Sequence, residues 1–160
     1  MQPWQKQFPN DPVAPLLQTK NQAIHYFATR DLLDKPVEPI NTIWELPAAQ
    51  KLLRRQQPDG SWPYPGGGKE HLRAHENYNL IETYRIFGEL IEKYGFTKTH
   101  PNIKKAADYI FSTQKDEGDF RGIYGTQYMT TYHSGLLELL IKAGYHNDKR
   151  ITNAFHWLAS

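Results

Sequence analysis

Apolar residues recur at three- and four-residue intervals along most of the chain, and no stretch of any length alternates with period two. The pattern therefore predicts helices and no strands. Leu16, Leu17, Ile24, Phe27 and Leu32 predict a helix over 16–33, closed by Pro36 and Pro39. Leu46, Ala49, Leu52 and Leu53 predict a second over 45–57, stopped at Pro58-Asp59-Gly60. Beyond a loop with Pro63, Pro65 and glycines at 66–68, Leu80, Ile81, Tyr84, Phe87, Leu90 and Ile91 predict a third over 74–94. Gly95 supplies a left-handed stop. Pro101 suits the first turn of a fourth helix over 101–114, because its missing N–H costs nothing there. Leu136, Leu137, Leu139, Leu140 and Ile141 predict a fifth over 126–143, ending near Gly144, and a sixth runs from about 148 to Ser160. Residues 1–15 hold Pro3, Pro9, Pro12 and Pro15 and are predicted to be an extended arm ahead of a helical body over 16–160.

The helices repeat. Ala49 to Gln57 and Ala106 to Gln114 align at a spacing of 57, and with one extra turn residue Gly60-Ser61-Trp62 aligns with Gly118-Asp119-Phe120. Each time an amphipathic helix closes on glutamine, an acidic turn, glycine, one residue and an aromatic. Glu89-Leu90-Ile91 likewise matches Glu138-Leu139-Leu140, with Gly95 and Gly144 as stops. The unit is a helical hairpin of about 50 residues, a length typical of helical repeats. A third copy starts with Ala154-Phe155-His156-Trp157-Leu158, which matches Ala106 to Ile110 at a spacing of 48. Its glutamine would fall at 162, so the chain is expected to be part of a longer protein, truncated inside a repeat.

These residues resemble the repeat of squalene and oxidosqualene cyclases, in which a basic and a small residue, an aromatic and Leu precede a Gln, a Gly and a Trp. Lys105-Ala106, Tyr109-Ile110, Gln114, Gly118 and Phe120 follow that order with Ile for Leu and Phe for Trp, and Gln57, Gly60 and Trp62 form the other copy. The resemblance covers about 45–160. It implies an all-α fold, an α/α toroid of the terpene cyclase and prenyltransferase kind, present here as about three hairpins. Gln57, Gly60, Trp62, Gln114, Gly118 and Phe120 would be structural, tying an outer helix to the start of the next inner one. Half a ring would leave its lumen wall and edges open, to be covered by missing C-terminal sequence or by self-association. The same architecture serves prenyltransferases, polysaccharide lyases and thioester-domain proteins, so it does not fix an activity.

Composition narrows the chemistry. The 160 residues contain no cysteine, which excludes disulfides, thiolate nucleophiles and thiolate metal ligands. A prenyltransferase zinc site, which needs one, cannot be carried over. Net charge is only +2, with no basic footprint for nucleic acid. No apolar run reaches the length of a membrane span and no signal pattern opens the chain, so a cytoplasmic location is expected. Aromatics reach 13%, with ten tyrosines and four tryptophans, enough to build core or to line a ligand cavity.

The resemblance puts the site at the lumen-facing starts of the inner helices, here His71 to Tyr78 and Tyr124 to His133. The ligand-lining candidates are His75, Glu76, Tyr78, Tyr124, Tyr128, Tyr132 and His133. Tyr128 and Tyr132 lie one helical turn apart, and either form an aromatic wall for a cation or a sugar, or are core. His71 and His75 are four apart and would share a face, a spacing that suits zinc but also suits a solvated pair. No cofactor is implied. Asp116-Glu117-Gly118-Asp119 superficially resembles the cyclases' Asp-x-Asp-Asp acid, but lies in the repeat's turn and is read as solvated. Three functions stay open: an apolar isoprenoid in an aromatic lumen, a uronic-acid polymer handled by Tyr and His, or a non-catalytic binding module.

Overall fold

A computed structural model gives the fold and describes residues 3–66, 76–121 and 127–160. It is all-helical. Helices α1 (Ala14–Gln18), α2 (Gln22–Phe27), α3 (Asn41–Trp44), α4 (Pro47–Leu53), α5 (Tyr78–Tyr94), α6 (Pro101–Ser112), α7 (Thr130–Leu140) and α8 (Lys149–Ala159) follow in order. α2 and α7 widen into π turns over Ala28–Leu32 and Ile141–Tyr145. Among the described residues there is no strand, only an isolated antiparallel bridge between Gln114 and Phe120.

Capping chemistry explains where the pattern and the structure part. The stretch 16–33 is split because Asn21 leaves the helical conformation and its side chain accepts from the N–H groups of Ala23 and Ile24, an N-cap that starts a new helix. The stretch 45–57 is instead shortened at both ends: Pro47 begins α4 and the chain leaves the helix after Leu53. Asn77 caps Leu80, so α5 begins at Tyr78 rather than at 74. The expected extended arm contains a 3₁₀ turn at Pro3–Gln7, whose buried Gln5 donates to Asp11 at 3.0 Å; Asp11 also accepts from Val13 N–H.

The two described corners are superimposable in chemistry. Gln56 Nε2 donates to Gly60 O at 2.9 Å and to Asn102 O at 2.8 Å, and Gln114 Nε2 donates to Gly118 O and Arg150 O, both at 2.8 Å. The second partners, Asn102 and Arg150, lie in the first turn of the helix that follows next but one, α6 or α8. The backbone agrees: Gln57 N–H donates to Ser61 O, and Lys115 N–H to Asp119 O. The residue that occupies the place of Gln114 is therefore Gln56, not Gln57, at a constant spacing of 58 that needs no extra turn residue. Gln57 turns its side chain to Ser61 Oγ instead.

Two further ties complete each corner. Gly60 and Gly118 adopt φ of 94° and 103°, and sit against the carbonyls of Lys105 and Asn153 in the next helix, where a Cβ has no room. Trp62 N–H donates to Thr83 Oγ1 at 2.9 Å, and Phe120 N–H to His133 Nδ1 at 3.0 Å. The glutamine thus ties the end of α4 to α6, or of α6 to α8, while the aromatic residue's backbone holds the helix between them, α5 or α7. Trp62 and Phe120 are themselves buried, and Trp62 Nε1 donates back to Leu52 O.

α5 and α7 run parallel. Tyr84 meets Gly135, Gly88 meets Leu139, and Glu92 pairs with Lys142, so contacts advance together along both helices. Ile86, Phe87 and Leu90 of α5 and Leu136 and Leu140 of α7 face the core with Ile103, Ile110 and Ile151.

Candidate functional site

The corners deliver the chain to the starts of α5 and α7, and this end carries most of the candidate residues. His71, His75 and Tyr124 lie outside the described residues. Glu76 accepts from Tyr78, whose ring packs on Tyr64. Tyr109, from α6, donates to Asn77 Oδ1 at 3.1 Å. Tyr132 packs edge-on to Tyr84, and burial pushes its hydroxyl well above the usual tyrosine range. Among the described residues its Oη has no hydrogen-bond partner.

His133 does not share a face with Tyr132. It is fully buried, accepts from Phe120 through Nδ1, and donates from Nε2 to Ala154 O at 3.1 Å. Burial holds its pKa below the usual histidine value. A neutral ring with both nitrogens engaged has no lone pair to offer a substrate, and His133, a ligand-lining candidate in the sequence, fastens the corner to α7 and α8.

Tyr128 is half exposed. It stacks on Trp157 of α8, donates to Glu117 at 2.7 Å, and lies under the Arg121 guanidinium at 4.1 Å. It does not build a wall with Tyr132, which points to α5. Asp119 corrects the solvated-turn reading: it is 1% exposed, with Oδ2 held by Arg121 Nε at 2.6 Å. Only Asp116 and Glu117 of that run are exposed.

Two concave surfaces lie where the sequence does not point. The first is a groove of about 370 Å³ between α5 and α7, floored by Gly88 and Gly135 and walled by Tyr84, Arg85, Glu89, Glu92, Lys93 and Glu138. Arg85 bridges Glu82 and Glu89, and Lys93 also reaches Glu89. Glu82, 3% exposed, is held below the usual carboxylate range by its hydrogen bonds from Arg85. The sequence signal is a glycine inside each helix, Gly88 in α5 and Gly135 in α7, which costs helix stability and so marks close approach. The second is an apolar cleft of about 850 Å³ at the opposite end, among Leu16, Ile24, Phe27, Leu32, Ile40 and Ile91. Gly95 belongs to it, since a Cβ there would run into Ile40.

No group of three or more His, Asp or Glu side chains among the described residues is arranged to hold a metal ion. No described helix is long and apolar enough to cross a membrane. Comparison with known proteins returns no matching family model, no matching curated protein and no matching solved structure.

Proposed function

We propose that the chain is a run of hairpins from an α/α toroid, with α4, α6 and α8 outside and α5 and α7 inside, and that it binds a neutral, hydroxyl-rich ligand of the carbohydrate class without transforming it. The parallel inner helices and the two equivalent corners support the architecture. The α5–α7 groove carries the functional reading. An isoprenoid lumen wants an apolar, aromatic wall, and this wall is ionic. A uronic-acid polymer wants surplus cations, yet Arg85 and Lys93 face Glu89, Glu92 and Glu138. Fixed donors beside fixed acceptors over a glycine floor suit sugar hydroxyls, which both donate and accept. The engagement of both His133 nitrogens and of the Arg121 guanidinium in internal bonds supports binding rather than chemistry.

The test is a titration of the chain with neutral oligosaccharides, uronic-acid oligomers and an apolar fluorescent probe, followed by two-dimensional NMR. Neutral sugars should shift amides around Gly88 and Gly135, and Glu138→Ala should abolish the shifts while leaving the melting temperature within about 2 °C, as for other surface substitutions. Binding confined to the apolar probe would overturn the proposal in favour of an isoprenoid-type ligand, with the 850 Å³ cleft as its seat.

A further inference from the structure

Each corner carries one histidine that accepts a backbone N–H. At the first, His100 is the N-cap of α6: its Nδ1 accepts from Asn102 N–H at 3.2 Å, and Asn102 is the seat of Gln56. At the second, His133 Nδ1 accepts from Phe120 N–H while its Nε2 donates to Ala154 O, beside the Asn153 carbonyl against which Gly118 sits. In both rings the accepting lone pair is the one a proton would take. A protonated nitrogen there is a donor facing a donor, and at His100 the new cation also sits at the positive end of α6.

The repeat supplies the counterpart of each bond without a histidine. In the place of His133 the first corner uses Thr83, whose Oγ1 accepts from Trp62 N–H at 2.9 Å. In the place of His100, α8 uses Asp148, whose carboxylate accepts from Arg150 N–H at 2.9 Å and is held below the usual range by its hydrogen bond from Arg150. The surroundings of the two histidines are alike. Asp119 faces His133 but is already paired with Arg121, and α8 presents the Trp157 ring at 4.6 Å. Glu45 faces His100, which packs edge-on to Trp44 and Phe96. Burial outweighs the acid in both cases and lowers the pKa. We propose that mild acid unfastens the two corners, one proton at each, while the bonds at Thr83 and Asp148 hold, so that the hairpins loosen against one another before their helices unfold. The second corner also anchors α7, one wall of the α5–α7 groove, so acid slackens that wall. The inference is independent of the ligand class.

Amide hydrogen exchange followed by NMR on the whole chain tests it, from neutral to mildly acid pH and corrected for the intrinsic pH dependence of exchange. With one proton taken up on opening, protection of the Phe120 and Asn102 N–H groups should fall by up to about ten-fold for each pH unit below about 6.5. The Trp62 and Arg150 N–H groups, and mid-helix amides such as Phe87 and Leu90, should keep theirs. His100→Asp installs the cap that α8 already uses, and should abolish the response at Asn102 while leaving that at Phe120; His133→Gln should do the converse. Loss of protection that spreads equally to Trp62, Arg150 and the mid-helix amides is global unfolding and overturns the inference. So does unchanged protection of Phe120 and Asn102 in mild acid, or a response at Asn102 that survives His100→Asp.

Discussion

Replacing Gln56 by alanine separates the observed corner from the one the sequence alignment suggested. Gln56 makes three part-buried hydrogen bonds: Nε2 to Gly60 O, Nε2 to Asn102 O, and Oε1 from Asn102 Nδ2 at 2.7 Å. At about 1 kcal/mol net for each bond, and with water reaching some of the released partners, Gln56→Ala should cost about 2–3 kcal/mol. For a domain of this size that lowers the melting temperature by roughly 5–10 °C. Gln57→Ala removes one side-chain bond, to Ser61 Oγ at 2.9 Å, and leaves the backbone bond to Ser61 O in place. It should cost under about 1 kcal/mol. Urea unfolding of both variants followed by circular dichroism gives the two midpoints, with an unchanged slope showing that the unfolding reaction is the same. If Gln57→Ala lowers the midpoint as much as Gln56→Ala, the equivalence of Gln56 with Gln114 is wrong.

Gly118→Ala meets two penalties, a φ of 103° and a Cβ placed 2.5 Å from Asn153 O, whereas Gly144→Ala, at φ 100°, meets only the Lys98 side chain at 3.4 Å or more. Both should destabilise, with Gly144→Ala costing about 1–3 kcal/mol from backbone strain alone and Gly118→Ala clearly more; equal midpoints in urea would show that the corner does not seat on α8. His133 is kept neutral by burial, its folded pKa below the unfolded one, so its contribution is complete above about pH 6.5 and is lost as pH falls from there towards the folded value. His100, also lowered by burial, acts in the same direction. His133→Gln can keep both hydrogen bonds without titrating, and stability measured between neutral and mildly acid pH should fall less steeply in that variant; an identical slope would contradict the assignment.

Much of the architecture was legible because it rests on local chemistry. Pro101 and the stop at Gly95 are signals a chain cannot ignore, and both bound helices where expected, whereas α4 ends at Leu53, ahead of the turn at Pro58-Asp59-Gly60. The register of the corners was harder. Gln56-Gln57 offers two adjacent glutamines, and the choice between them depends on Asn102, a residue 46 positions away. The interruption at Asn21 does not show in the apolar spacing, which continues on both sides of it. At the candidate site the partners come from distant elements: Phe120 and Ala154 engage the two nitrogens of His133, and Asp119, expected to be solvated, is covered by Arg121. The groove depends on which faces of two helices meet, which no single periodicity carries.

The corner also determines where the protein can vary in length. The glutamine reaches 46 residues ahead in one unit and 36 in the other. Eight of those ten extra residues fall between the aromatic and its partner on the following helix, a separation of 21 against 13. Everything downstream of that partner is nearly constant, because the next outer helix must arrive on the glycine already waiting for it. Insertions and deletions are thereby channelled to a single rim, the one where α5 and α7 begin. A scaffold built this way can change the length of its loops at that rim while its frame keeps the same dimensions.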